Sequence, residues 1–88
     1  MIRIRLFAAL REIAQRSELT DVEGRTAGEL ADVLAGRYGE RFARIAEVSS
    51  FVVNGERASR GTLVAEGDEV AILPPVSGGS WGRASRGS

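Results

Sequence analysis

The first seven residues, Met1 to Phe7, alternate in character, with Ile2, Ile4 and Leu6 on one side and Arg3, Arg5 and Phe7 on the other. A period of two is that of a strand with one face buried. From Ala8 the period lengthens: Leu10, Ile13 and Ala14 fall at helical spacing and predict a helix over residues 8–16. A short strand is predicted in "ELTDVE", Glu18 to Glu23, where Gly24 breaks it. Thr26 followed three residues later by Glu29 has the form of a capping box. Leu30, Leu34 and Tyr38 then recur every fourth position up to Gly39, a residue suited to ending a helix. Phe42, Ile45 and Ala46 predict a second, shorter helix in "ERFARIAEV".

"SFVVNGERAS" carries the strongest local signal. The apolar run Phe51 to Val53 meets Asn54-Gly55, two residues that tolerate the positive φ of a tight hairpin turn. A second turn at Gly67-Asp68 leads into a strand from Glu69 to Leu73, with Val70 and Ile72 inward and Ala71 and Leu73 outward. Pro74 and Pro75 cannot donate ladder hydrogen bonds, so that strand stops there. The order of strand, helix, strand, helix, helix, strand, hairpin, strand predicts an α+β fold: a small mixed sheet with helices on one face. The folded domain is placed at residues 1–76. Residues 77–88 hold Ser, Gly, Arg and one Ala with a single Trp81, a composition expected to be flexible.

Composition narrows the chemistry. At 88 residues the chain is one domain, and folding buries roughly 60% of the surface exposed by the unfolded chain. It contains neither Cys nor His, which excludes disulfides, thiolate chemistry and the usual general base and zinc ligand, so no metal site is expected. Twelve basic residues, all Arg, balance twelve acidic ones. A neutral balance speaks against a nucleic-acid binder. Arg3, Arg5, Arg11 and Glu12 interrupt the apolar start, so neither a signal peptide nor a membrane span is expected and the default compartment is the cytoplasm. Arg3 and Arg5 read either as the solvated face of an edge-accessible strand or as charges that steer an acidic partner, and Arg57 and Arg60 as surface charges of the hairpin.

Taken together, "LFAALREIA", "VVNGE" and "EGDEVAILPPVSGG" resemble the ubiquitin-like sulfur carriers, most closely the small subunit of molybdopterin synthase (the MoaD type, related to ThiS). The resemblance spans residues 1–79, and the run from Glu66 to Gly79 is its most specific part. It implies the β-grasp fold, with the first and last strands side by side in the centre of the sheet. It also implies a carrier tail, Gly78-Gly79, over residues 77–79. In such proteins a separate E1-like enzyme uses ATP to adenylate the C-terminal carboxylate, and sulfur then displaces AMP to leave a thiocarboxylate. The chain would bind no cofactor and supply no catalytic side chain. Gly79 would be the reacting residue, donating sulfur in molybdenum-cofactor biosynthesis within a large molybdopterin synthase subunit. Glycine suits such a tail because it has no side chain and accepts any backbone dihedral found in a narrow channel. Phe7, Val53, Leu73, Pro74, Pro75 and Val76 are the candidate partner-binding residues, the apolar ones forming a contact surface.

Room for two helices between residues 24 and 50 favours the MoaD type over the shorter thiamine-pathway carriers. Sulfur carriage for thiamine or cysteine, a ubiquitin-like protein modifier and a plain interaction domain stand as alternatives. The chain departs from the family pattern after Gly79, whose carboxyl is tied up in the bond to Ser80. Residues 80–88, "SWGRASRGS", read either as a pro-segment that a protease removes or as an artificial appendage.

Overall fold

The computed structural model describes residues 1–75. Val76, Gly78, Gly79 and the extension 80–88 therefore lie outside the described residues, as does the expected boundary at residue 76. In chain order the elements are β1 (Arg3–Leu6), α1 (Ala8–Ala14), β2 (Glu18–Leu19), α2 (Ala27–Tyr38), α3 (Glu40–Glu47), β3 (Ser50–Val53), β4 (Glu56–Ala58) and β5 (Glu69–Leu73).

The alternation at the start of the chain forms β1, whose Ile4 and Leu6 are buried while Arg3 and Arg5 are exposed. The five strands make one sheet in the order β2-β1-β5-β3-β4, with β1 and β5 parallel and the other neighbours antiparallel. Ile4 and Leu6 lie beside Val70 and Ile72, and Ile72 lies beside Phe51. These five side chains share one face and meet Leu10 of α1, Leu30 and Leu34 of α2 and Phe42 of α3 in a single core. Each such burial contributes about 2 kcal/mol. β2 is shorter than the strand expected over residues 18–23. Only Glu18 and Leu19 pair with β1, opposite Arg5 and Ile4, although Val22 still reaches the core.

The start of α2 depends on a distant loop. Thr26 Oγ1 accepts from Glu29 N at 3.1 Å, the capping bond expected from the sequence, while Glu29 reaches back to Arg25 N at 2.7 Å. The N–H groups of Ala27 and Gly28, which no helix can satisfy internally, donate to Thr62 O and Arg60 O at 3.0 and 2.9 Å. This close approach favours glycine at position 28, where a Cβ would lie 3.0 Å from the Arg60 Cβ. Arg60 is thus more than a surface charge of the hairpin, as the sequence had it. It lies past β4, and its guanidinium donates to both carboxylate oxygens of Asp32 on α2, at 2.9 and 3.0 Å.

The hairpin turn is built as expected, with Asn54 at φ 52° and Gly55 at φ 84°. Asn54 also ties the turn to the head of β5. Its side chain accepts from Glu69 N and donates to Asp68, each at 3.0 Å, while Ala65 N donates to the other Asp68 oxygen at 2.8 Å. Asn54→Gly keeps the positive φ and loses those bonds, and is expected to cost about 1 kcal/mol. Asn54→Ala adds the left-handed strain of a Cβ, about 1 kcal/mol more. Urea unfolding of the two variants checks the order.

The hydrogen bonds from Asn54 and Ala65 hold the Asp68 carboxyl below the usual carboxylate range. A group lowered on folding gives stability that is complete above its unfolded pKa, about 4, and lost as pH falls through the native value. Asp68→Asn is expected to be less stable than the parent at neutral pH and to lose less stability on acidification below about pH 4. Thermal melts of both chains across that range test this.

Candidate functional site

The candidate site begins where β5 ends. β5 is held on both sides, by β1 from Glu69 to Ile72 and by β3 from Val70 to Leu73. Leu73 pairs with Ser50, and the next residue along β1 from the Leu6–Ile72 pair is Phe7. Pro74 and Pro75 follow immediately, half-buried and exposed, and neither has an N–H with which to continue the ladder. The chain therefore leaves the sheet next to Phe7, from its most constrained strand. At this corner Phe7 is extended, Ala8 takes the left-handed φ of 52°, and the chain turns from β1 into α1.

The face of the sheet turned away from the helices carries an ordered row. From one edge to the other run Glu18, Arg5, Ala71, Val52 and Arg57, each beside the next by register. The ends are charged and the middle is apolar. Phe7, Arg5, Val52, Ala71, Glu69 and Gly55 line a shallow groove there. Glu69 takes ion pairs from Arg3 at 3.8 Å and Arg5 at 3.4 Å, and the Arg5 guanidinium lies 5.9 Å from the centre of the Phe7 ring. Exposed pairs of this kind add little stability. They do fix the direction of Arg5 over the ring. Arg3 also pairs with Glu18, at 3.6 Å. β1 is thus flanked by strands on both sides, and is not the edge-accessible strand read from the sequence.

Phe7 and Leu73 are half-buried on this open face, as the alternation indicated. Val53 is not with them. It lies beside Val70, on the core face, and packs against the core. The residue that joins Phe7 on the open face is Val52, which, like Ala71 and Arg5, was not among the candidates. In the run Phe51-Val52-Val53 all three residues are apolar, so hydrophobicity alone does not set the phase. The burial of Phe51 does. Val76, Gly78 and Gly79 lie outside the described residues. Among the described residues no group of three or more His, Cys, Asp or Glu side chains converges as metal ligands would.

The family model described as the ThiS family matches residues 4–79. Small archaeal modifier protein 1 of Haloferax volcanii is 39% identical, over 85% of this chain and 97% of that protein. A crystal structure of that protein aligns with a TM-score of 0.69 at 35% identity, covering 89% of this chain and 98% of the other. The molybdopterin synthase sulfur carrier subunit of Drosophila erecta is 37% identical, over 89% of this chain and 90% of that protein. A chain in the Amycolatopsis orientalis BexX/CysO complex shares the fold at 23% identity, with a TM-score of 0.72 over 90% of this chain and all of that one. The architecture is the α+β, ubiquitin-like β-grasp that the resemblance implied, with the first and last strands adjacent inside the sheet.

The opposite facing of Val52 and Val53 has a direct test. Both lose the same strand preference on change to alanine, but only Val53→Ala opens space against the core. It is expected to cost about 1 kcal/mol more than Val52→Ala. Urea midpoints measured side by side decide it, and equal or reversed costs would show the assignment of faces to be wrong.

Proposed function

The chain belongs to the ThiS family and is a ubiquitin-like sulfur carrier of the ThiS/MoaD type, and from this we propose that Gly79, once freed of residues 80–88, is the group it carries sulfur on. The observation that carries the reading is where the family match stops. It ends at residue 79, the second glycine, four residues beyond the Pro75 that follows the central strand.

The chemistry needs only a backbone carboxyl. An ordinary carboxylate is a poor electrophile. Attack of a Gly79 carboxylate oxygen on the α-phosphate of ATP, in a separate E1-like activating enzyme, releases pyrophosphate and makes an acyl-adenylate. The terminal sulfur of a persulfide of that enzyme system then attacks the acyl carbon and displaces AMP, and a thiol of the same system cleaves the resulting acyl disulfide, forming a disulfide there and leaving the thiocarboxylate on Gly79. In the large subunit of molybdopterin synthase the thiocarboxylate sulfur attacks the pterin precursor, and hydrolysis returns Gly79 as carboxylate. This chain contributes the substrate end, the reach of Gly78-Gly79 and a docking face, while the side chains that activate and transfer belong to its partners. Phe7, Leu73, Pro74 and Val52 supply the apolar docking contacts, and Arg5 and Glu69 the polar ones. The chain holds no cofactor in this reading. Among the described residues no helix is long and apolar enough to cross a membrane, which suits work in the cytoplasm.

The relative named as a modifier supports a second reading, in which the activated Gly79 is joined to an amine of a target protein. The CysO neighbour supports the fold alone. Intact mass separates these readings. For the chain recovered from its own cells, the proposal expects a species ending at Gly79, part of it heavier by the exchange of one oxygen for sulfur. Adducts linked through Gly79 would favour the modifier. A single species that keeps residues 80–88 and is unchanged by activating enzyme and ATP would sink the carrier reading.

A further inference from the structure

Asn54 is the only asparagine in the chain, and Gly55 follows it. The pair serves the hairpin turn, but it also carries a chemistry that the turn does not use. An asparagine amide is open to attack by the main-chain nitrogen of the next residue, and glycine obstructs that attack least because it has no side chain. Both residues are exposed, so water and hydroxide reach them. Against this stands the way the side chain is held. Asn54 Nδ2 donates to Asp68 Oδ1 and Asn54 Oδ1 accepts from Glu69 N, each at 3.0 Å. The main-chain N–H of Asn54 donates to Glu69 O at 2.8 Å. The side-chain amide is thus tied to the head of β5 instead of being free to fold back on its own main chain. Asp68 is fixed in turn by Ala65 N, at 2.8 Å.

We propose that Asn54 is a deamidation site gated by the fold: it reacts with the Gly55 nitrogen only while its side-chain bonds to Asp68 and Glu69 are open, and the product then loosens the head of β5. Water is the only co-reactant. Hydroxide takes the Gly55 amide proton and the nitrogen attacks Asn54 Cγ. The side-chain nitrogen leaves as ammonia, taking a proton back from water, and a five-membered imide closes. Water then opens the imide at either carbonyl, leaving aspartate or its isomer, in which the main chain runs through the former side-chain carbon. Neither product restores the turn. Ionised aspartate at position 54 has no donor for Asp68 and sets a second carboxylate against it, a repulsive contact. The isomer lengthens the main chain inside a two-residue turn whose φ values, 52° and 84°, match the hairpin register. The reacting form is a locally opened one, so the native rate follows the population of that form. Two side-chain bonds hold it closed, which predicts a rate roughly thirtyfold lower in the folded chain than in the unfolded one. None of this depends on what Gly79 carries.

The lone asparagine makes the reaction easy to follow. The full chain is kept in mildly alkaline buffer with and without guanidinium chloride, and mass spectrometry counts the exchange of the amide NH2 for OH. Peptide mapping separates Asn54 from Gln15, the one other side-chain amide. Slow conversion in buffer and fast conversion in denaturant are expected. Asp68→Ala, shown to be folded by circular dichroism, is expected to react about fivefold faster than the parent. Phe42→Leu weakens the core on α3 but leaves the bonds of the turn in place, and keeps the parent rate while folded. Should Asp68→Ala fail to fold, Asp68→Ser takes its place. The deamidated chain, separated by ion exchange, is expected to show a lower urea midpoint and faster hydrogen exchange at Glu69 N–H. Equal rates with and without denaturant overturn the proposal, as does a folded Asp68 variant that reacts at the parent rate. Acceleration in Phe42→Leu equal to that in Asp68→Ala also overturns it, by showing that global unfolding is the gate. A deamidated chain with the parent's midpoint and exchange removes the effect on β5.

Discussion

The parallel pairing of β1 with β5 is the constraint on which the rest of the structure depends. Arg3 lies beside Glu69 and Leu6 beside Ile72, so opposite ends of the described chain meet inside the sheet. Parallel neighbours cannot be joined by a tight turn, and everything between them is an excursion that must return. α1 and β2 make one return, α2 and α3 cover the core, and the β3–β4 hairpin supplies the other neighbour of β5. Such long-range pairing must be reached against loop-closure entropy, so the local devices along the way have a purpose. The capping box starts α2, the Asn54-Gly55 turn sets the hairpin register, and Asn54 ties that turn to the head of β5. The loop through Arg60 and Thr62 completes the N-terminus of α2.

Parallel pairing also decides where the chain leaves. Because β5 runs in the same direction as β1, its end emerges where β1 turns into α1, beside Phe7. Because β5 has a partner on each side, its exit cannot slide without breaking two registers. The two prolines then end the ladder at a fixed place. Under the proposed function this gives the chain a rigid base at β5, and the absence of Cys and His fits that proposal, since the reacting carbon would belong to the main chain.

The two faces of the sheet divide the work. One is filled by Ile4, Leu6, Phe51, Val70 and Ile72 against the helices and provides the stability. The other bears an apolar centre between charged ends, with Arg5 held by Glu69 and lying over Phe7. Among the described residues only one side of the sheet is covered, which leaves such a surface open to a partner.

By itself the sequence determined the elements and most of their faces. The alternation from Ile2 to Leu6, the fourfold spacing of Leu30, Leu34 and Tyr38, the Asn54-Gly55 turn and the Pro74-Pro75 stop are all local signals, and each became the element it indicated. Resemblance through the run ending in Gly78-Gly79 added the family and the topology, which no periodicity contains. Tertiary structure alone decided matters that depend on a neighbour distant in the chain. It turned Val52 rather than Val53 toward Phe7, because Phe51 is drawn into the core beside Ile72. It cut β2 to two residues, Glu18 and Leu19, which alone pair with β1. It carried Arg60 across to Asp32 and placed β1 inside the sheet, so that Arg3 and Arg5 found carboxylates on both flanking strands. Local patterning is written in spacing a single segment can carry, whereas register, edge position and ion-pair partners are properties of two segments at once.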